Sequence, residues 1–183
     1  MIKKFFSLIF IYIAISSNSL SNENIIKDLK NGGKIIFIRH ALAPGGGDPA
    51  GFRLDDCNTQ RNLNKEGIKQ SKKIGFFFYK NKIPIDRVLS SEWCRCQDTA
   101  KHAFKKYTTF TPLNSFFDER FRKNKDRQIV ELLNYLKNWK SEKNLILITH
   151  YVVILEIADK AVSSGEIVVM DKELNLIGSI NEY

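Results

Sequence analysis

Two histidines in this 183-residue chain each close an apolar run: His40 ends "KIIFIRH" and His150 ends "LILITH". Arg39 stands directly before the first of them. Histidine is the side chain whose ordinary titration falls near neutral pH, and a neutral imidazole is a competent nucleophile. Arginine presents a flat fork of N–H donors that matches the oxygens of a phosphoryl group. A third run, "RVLSS", leads into "EWCRC", which carries Arg95, and Arg61 precedes a helix that begins near Asn64. Two imidazoles and two guanidiniums around one point describe phosphoryl transfer through a phosphorylated histidine. In that arrangement His40 attacks phosphorus. Arg39 and Arg95 hold the equatorial oxygens, where charge collects in the transition state, and His150 donates a further hydrogen bond to them. Arg61 is a third candidate cation, beside a helix start that suits an anion. With these cations in place the chemistry calls for no metal and no other cofactor.

The constellation exists only if the strand ends share one rim. Lys34 to Ile38 is apolar throughout, as in a strand buried on both faces of a parallel sheet. Helices are expected over Asn22 to Lys30, Asn64 to Tyr79, Ser91 to Tyr107 and Asp126 to Lys140, with strands at Arg87 to Ser90, Phe110 to Pro112 and Leu145 to Thr149. "EIVVMD" and "LNLIGSI" read as a C-terminal hairpin. Strand and helix in alternation predict a layered α/β domain with a mostly parallel sheet, which binds ligands beyond the carboxyl ends of its strands. Residues 41–60 form a long loop; its Gly45-Gly46-Gly47 lacks the lysine and spacing of a nucleotide-binding loop and reads as a flexible segment over the site. His102, in mid-helix, reads as structural, and Phe76, Phe77 and Phe78 as core and helix-contact residues.

At these residues the chain resembles the histidine phosphatase superfamily, which includes the phosphoglycerate mutases. The Arg39-His40 strand end looks like its defining motif. "NLNKEGIKQSKKIG" (Asn62 to Gly75), "LSSEWCRCQDTA" (Leu89 to Ala100) and "ITH" (Ile148 to His150) follow in family order. The resemblance implies a three-layer α/β/α sandwich and phosphomonoesterase chemistry on a small phosphate monoester or a phosphorylated protein side chain. It is nearest to short exported bacterial members with "ALAPGxGDP" and "WCRC" segments. Ala41 and Thr149 replace glycines common in the family, and Cys96 replaces an alanine. Family members often carry an acidic proton donor 20–30 residues beyond the second arginine; "SFFDER" offers Glu119, preferred here, and Asp118. A phosphomutase and an anion-binding domain without turnover are the alternative readings, and export disfavours the mutase.

The N-terminus has two lysines, an apolar run from Phe5 to Ile15, and small residues at Ser19-Leu20-Ser21. That is the layout of a signal peptide over residues 1–21, its apolar run too short for a spanning helix. The expected mature domain is 22–183, periplasmic or secreted, with no membrane anchor. The formal net charge of +9 falls to +7 without Lys3 and Lys4. A modest basic excess suits an anionic substrate, while scattered lysines without interleaved aromatics do not describe a nucleic-acid surface. Three cysteines in an exported chain suggest one disulfide. Cys94 and Cys96 point about 200° apart on one helix and cannot bond each other. Cys96 shares the apolar face with Trp93 and Ala100, so the expected bond is Cys57–Cys94, with Cys96 a buried free thiol. Cys-Arg-Cys does not have zinc-knuckle spacing.

Overall fold

The computed structural model describes residues 22–183; the signal segment expected at 1–21 lies outside them. Helix α1 covers 22–31. There follow β1 (Ile35–Arg39), α2 (Lys65–Lys80), β2 (Ile85–Ser90), α3 (Cys94–Phe104), β3 (Thr108–Thr109), α4 (Glu119–Arg122), α5 (Lys125–Asn138), β4 (Asn144–Thr149), α6 (Tyr151–Ala158), β5 (Ile167–Met170) and β6 (Leu176–Ile180). The sheet runs β3-β2-β4-β1-β5-β6. Its first four strands are parallel, and the C-terminal β5-β6 hairpin joins antiparallel against β1.

Side chains alternate along a strand, and here both faces are apolar because both are covered. Ile36, Ile38, Ile146 and Ile148 pack against α1, α2 and α3 through Leu29, Ile74, Phe78 and Ala100. Ile35, Phe37, Leu145 and Leu147 pack on the other side against α5 and α6 through Leu132, Leu136, Val153 and Ile154. The fold is therefore the three-layer sandwich expected, and each fully buried aliphatic side chain stabilises it by about 1.5–3 kcal/mol. Asn144 ties the amino ends of the strands together: its Oδ1 accepts from Lys34 N (3.0 Å), and its Nδ2 donates to the carbonyls of Leu29 and Pro84 (2.7 Å each). The carboxyl ends are left for chemistry.

Two details depart from the sequence reading. Phe76 is 61% exposed. Three consecutive helical residues fan out by about 100° each, and α2 buries only the face of Ile74, Phe77 and Phe78. The short strand expected at Phe110 lies earlier, at Thr108–Thr109. Thr111–Leu113 is instead a 3₁₀ turn, because Pro112 has no N–H to give a ladder.

The long loop is fixed at both ends. Asn64 caps α2 by accepting from Gly67 N (2.8 Å). A Cβ on Gly67 would sit 2.1 Å from the Leu42 carbonyl, so only glycine lets the loop cross the start of this helix. Cys57 is bonded to Cys94 at the first turn of α3, and Cys96 is free and buried. Replacing Cys57 and Cys94 together by serine should lower stability by about 3–4 kcal/mol through the released loop. Urea unfolding under non-reducing conditions reads it; an unchanged midpoint would mean that the bridge constrains nothing.

Candidate active site

Around the carboxyl ends of β1, β2 and β4 lies a cavity of about 280 Å³ lined by five of the predicted residues, Arg39, His40, Arg61, Arg95 and His150. His40 follows β1 directly and is 2% exposed. Its backbone N–H donates to Thr149 O (2.9 Å), which locks it to the end of β4. Its Nδ1 lies 2.8 Å from the Ala41 carbonyl. A carbonyl only accepts, so the ring hydrogen sits on Nδ1 and Nε2 keeps a bare lone pair. Burial first, then the Arg95 charge, pushes the His40 pKa well below the ordinary histidine value, against the pull of the Ala41 carbonyl; Arg39 and Arg61 push the same way. The result is a neutral imidazole with an unprotonated Nε2, the state that a nucleophile needs. Ala41, where the resembled family commonly has glycine, needs no glycine: its φ is not positive, and its N–H donates to Thr99 Oγ1 (3.0 Å).

The guanidiniums are held from behind. Arg39 donates Nη1 to Val162 O (2.7 Å). Arg95, 3% exposed in the first turn of α3, pairs its Nη1 with Asp48 Oδ1 (2.8 Å). The Nε–H groups of both arginines are buried and have no partner among the described residues. A buried donor left unpaired is costly; the guanidiniums of Arg39, Arg61 and Arg95 line one cavity, and three positive charges there suit an oxyanion. Arg61 also lines the cavity, but its side chain serves the glycine segment, donating Nε to Gly47 O (2.6 Å) and Nη1 to Ala43 O. Gly47 at φ +70° gives its carbonyl that direction.

His150 stands at the amino end of α6, 3% exposed, with its ring centroid 5.5 Å from that of His40. Burial and then Arg95, His40, Arg61 and Arg39 hold its pKa well below the usual range. Thr149, which also stands where the resembled family has glycine, donates its hydroxyl to Leu113 O (2.6 Å) and ties the Thr111–Leu113 turn to the rim.

Sequence reasoning missed Asp48. Its carboxylate accepts from Arg95, from Arg61 N (3.0 Å) and from Trp93 Nε1 (3.0 Å), so it joins the glycine segment to α3. The signal was there in "GGGDP", but nothing in the sequence showed that this loop folds back on Arg95. The acidic candidates separate. Asp118 lines the cavity mouth, where Arg120 (3.0 Å) holds its carboxyl below the usual range. Glu119 is not brought to the site. Asp118 takes the N-cap of α4, and Glu119 turns outward to Arg122 with its side chain 78% exposed. His102 does not line the cavity. Among the described residues no group of three or more His, Cys, Asp or Glu side chains could hold a metal ion, and no helix is long and apolar enough to cross a membrane.

No family model and no curated protein matches the chain. Solved structures do. The protein histidine phosphatase SixA, complexed with tungstate, superposes with a TM-score of 0.57 at 17% identity, over 78% of this chain and 92% of that one. A mutant phosphoserine phosphatase from Entamoeba histolytica, in complex with phosphoserine, gives 0.53 at 17% identity, over 74% and 89%. A protein from Thermus thermophilus gives 0.56 at 16% identity, over 82% and 99%. The likeness is one of fold, and it is the histidine phosphatase fold that the motif resemblance implied.

Proposed function

We propose that this protein is a phosphohydrolase that moves a phosphoryl group from a phosphate monoester, or from a phosphorylated protein side chain, to His40 and then to water. The observation that carries the reading is the His40 ring, with its hydrogen fixed on Nδ1 by Ala41 O and its Nε2 left bare, in a cavity that Arg39, Arg95 and His150 also line. The Nε2 lone pair forms the P–N bond as the P–O bond to the leaving group breaks. Water then attacks phosphorus, the P–N bond breaks, and its electron pair returns to Nε2. Arg39, Arg95 and His150 surround the oxygens that carry the charge in both steps. Arg61 acts one layer out, by shaping the glycine segment. Asp118, not Glu119, is the carboxyl placed to face a leaving group, but its pairing with Arg120 keeps it ionised. That favours substrates whose leaving group departs without a carboxylic acid beside it. The disulfide fits an oxidising compartment, periplasmic or extracellular, and residues 22–183 as the working domain.

The test is to trap the intermediate. Rapid alkaline quenching during turnover of acetyl phosphate or para-nitrophenyl phosphate should give a peptide containing His40 that carries one phosphate, stable in alkali and lost in acid. Phosphate binding without any such adduct would leave an anion-binding domain.

A further inference from the structure

His150 has a second set of partners behind it. Its Nε2 lies 2.9 Å from Ser91 Oγ and 3.4 Å from Cys96 Sγ, both fully buried. Ser91 Oγ in turn lies 3.0 Å from Asn114 Oδ1. The orientation of the Asn114 amide is fixed from both sides: Glu92 N–H donates to Oδ1 (2.8 Å), and Nδ2 donates to the Glu92 carboxylate. Asn114 Oδ1 can only accept, so it takes the hydroxyl hydrogen of Ser91. The Ser91 oxygen also receives Trp93 N–H (3.3 Å), and its remaining lone pair faces His150 Nε2. The ring hydrogen of His150 therefore belongs on Nε2. The other edge agrees: Nδ1 lies 3.5 Å from Arg95 Nη2, and a guanidinium has no lone pair to offer an N–H. Two independent ends of one chain of hydrogen bonds give the same tautomer, with Nδ1 bare on the edge toward Arg95 and the cavity.

A bare Nδ1 cannot donate to a phosphoryl oxygen. We infer that oxyanion binding in this cavity is coupled to protonation of His150 at Nδ1, with Ser91 and Asn114 as positioning residues that keep its first proton on Nε2. This rests on the cavity being the phosphoryl site of the reading above. The charges facing the ring are Arg95 and the Cys96 thiol from α3, Arg39 and the His40 ring from the end of β1, and Arg61 from the long loop; Glu92 is reached only through Asn114 and Ser91. In the free protein the three guanidiniums oppose a further positive charge. A phosphate dianion held by Arg39 and Arg95 reverses that balance, and the imidazolium that forms can donate through Nδ1.

Two measurements on the wild-type protein decide the inference. Nitrogen-15 spectra of the anion-free protein should show His150 protonated on Nε2 alone, and on both nitrogens once inorganic phosphate is bound. Titration calorimetry with inorganic phosphate near pH 8, in buffers of different ionisation enthalpy, should show uptake of about one proton per site, so that affinity falls about tenfold per pH unit above it. In Ser91→Ala the tautomer is released: phosphate should still bind, with most of the proton uptake gone. Phosphate binding without proton uptake, or an Nδ1–H tautomer in the free protein, overturns the coupling and leaves the phosphatase reading standing. Failure to bind phosphate, together with no adduct on His40, removes both.

Discussion

Replacing His40 by alanine is expected to abolish turnover, with phosphate release falling by about 10⁴-fold or more, the scale seen when a nucleophile is removed from an intact site. The size of the effect follows from the site's division of labour. The arginines and His150 stabilise charge; the bare Nδ1 of His150 meets Arg95 Nη2 (3.5 Å), whereas the His40 ring brings to the cavity an unprotonated Nε2 fixed by a backbone carbonyl at its far side. The neighbouring thiol cannot take its place: Cys96 is fully buried, and burial pushes its thiol up to about 12. The fold should survive. The backbone N–H of residue 40 still reaches Thr149 O, and the variant loses one side-chain hydrogen bond, at about 1 kcal/mol. Circular dichroism and the urea midpoint should change little, while a phosphate-release assay reads no rate. Undiminished release in the alanine variant would move the nucleophile elsewhere and end the mechanism.

How much of this was legible in the chain depends on the range of the interaction involved. The strands and helices were, because apolar runs such as "IIFI" and "LILI" are local and both faces of the sheet are covered. The rim was, because two strands end on histidine and α/β topology brings strand ends together. The disulfide was, because a helix turns by a fixed angle per residue and so separates Cys94 from Cys96. Legibility failed where a side chain's place depends on how irregular chain folds back. Asp48 sits in a glycine-rich loop with no periodicity, and its partner Arg95 lies 47 residues away. Ser91 and Asn114 meet across 23 residues, one at the end of a strand and the other after a 3₁₀ turn. Spacing offered Asp118 and Glu119 alike, and Glu119 was preferred because members of the resembled family often carry a glutamate there, yet capping chemistry separates them: aspartate is the better N-cap, so the next residue starts the helix and faces solvent.

The buried pair of Arg95 and Asp48 carries the second large effect, because it links stability and rate. Its side chains are 4% and 6% exposed, and among the described residues Asp48 has no second cation at this distance. Arg95→Ala should cost about 3–5 kcal/mol of stability, since it strands a buried carboxylate. It should also slow phosphate release by about 10²–10³-fold, since it removes a preorganised donor to the transferring group. Arg95→Lys separates charge from geometry. An ammonium can stay near Asp48 and keep part of the stability, but a single point charge cannot pair with the carboxylate and also reach the His150 ring as the two arms of the guanidinium do, so the rate should stay low. Arg95→Met combined with Asp48→Asn separates the two effects again. With neither charge left, stability should recover in part, as when a buried pair is removed whole, and the rate should not recover at all. Urea midpoints and phosphate-release rates on the four proteins, wild type included, read both axes. A lysine variant with full activity would show that position 95 needs only a positive charge, and the paired-fork role assigned to Arg95 would fall.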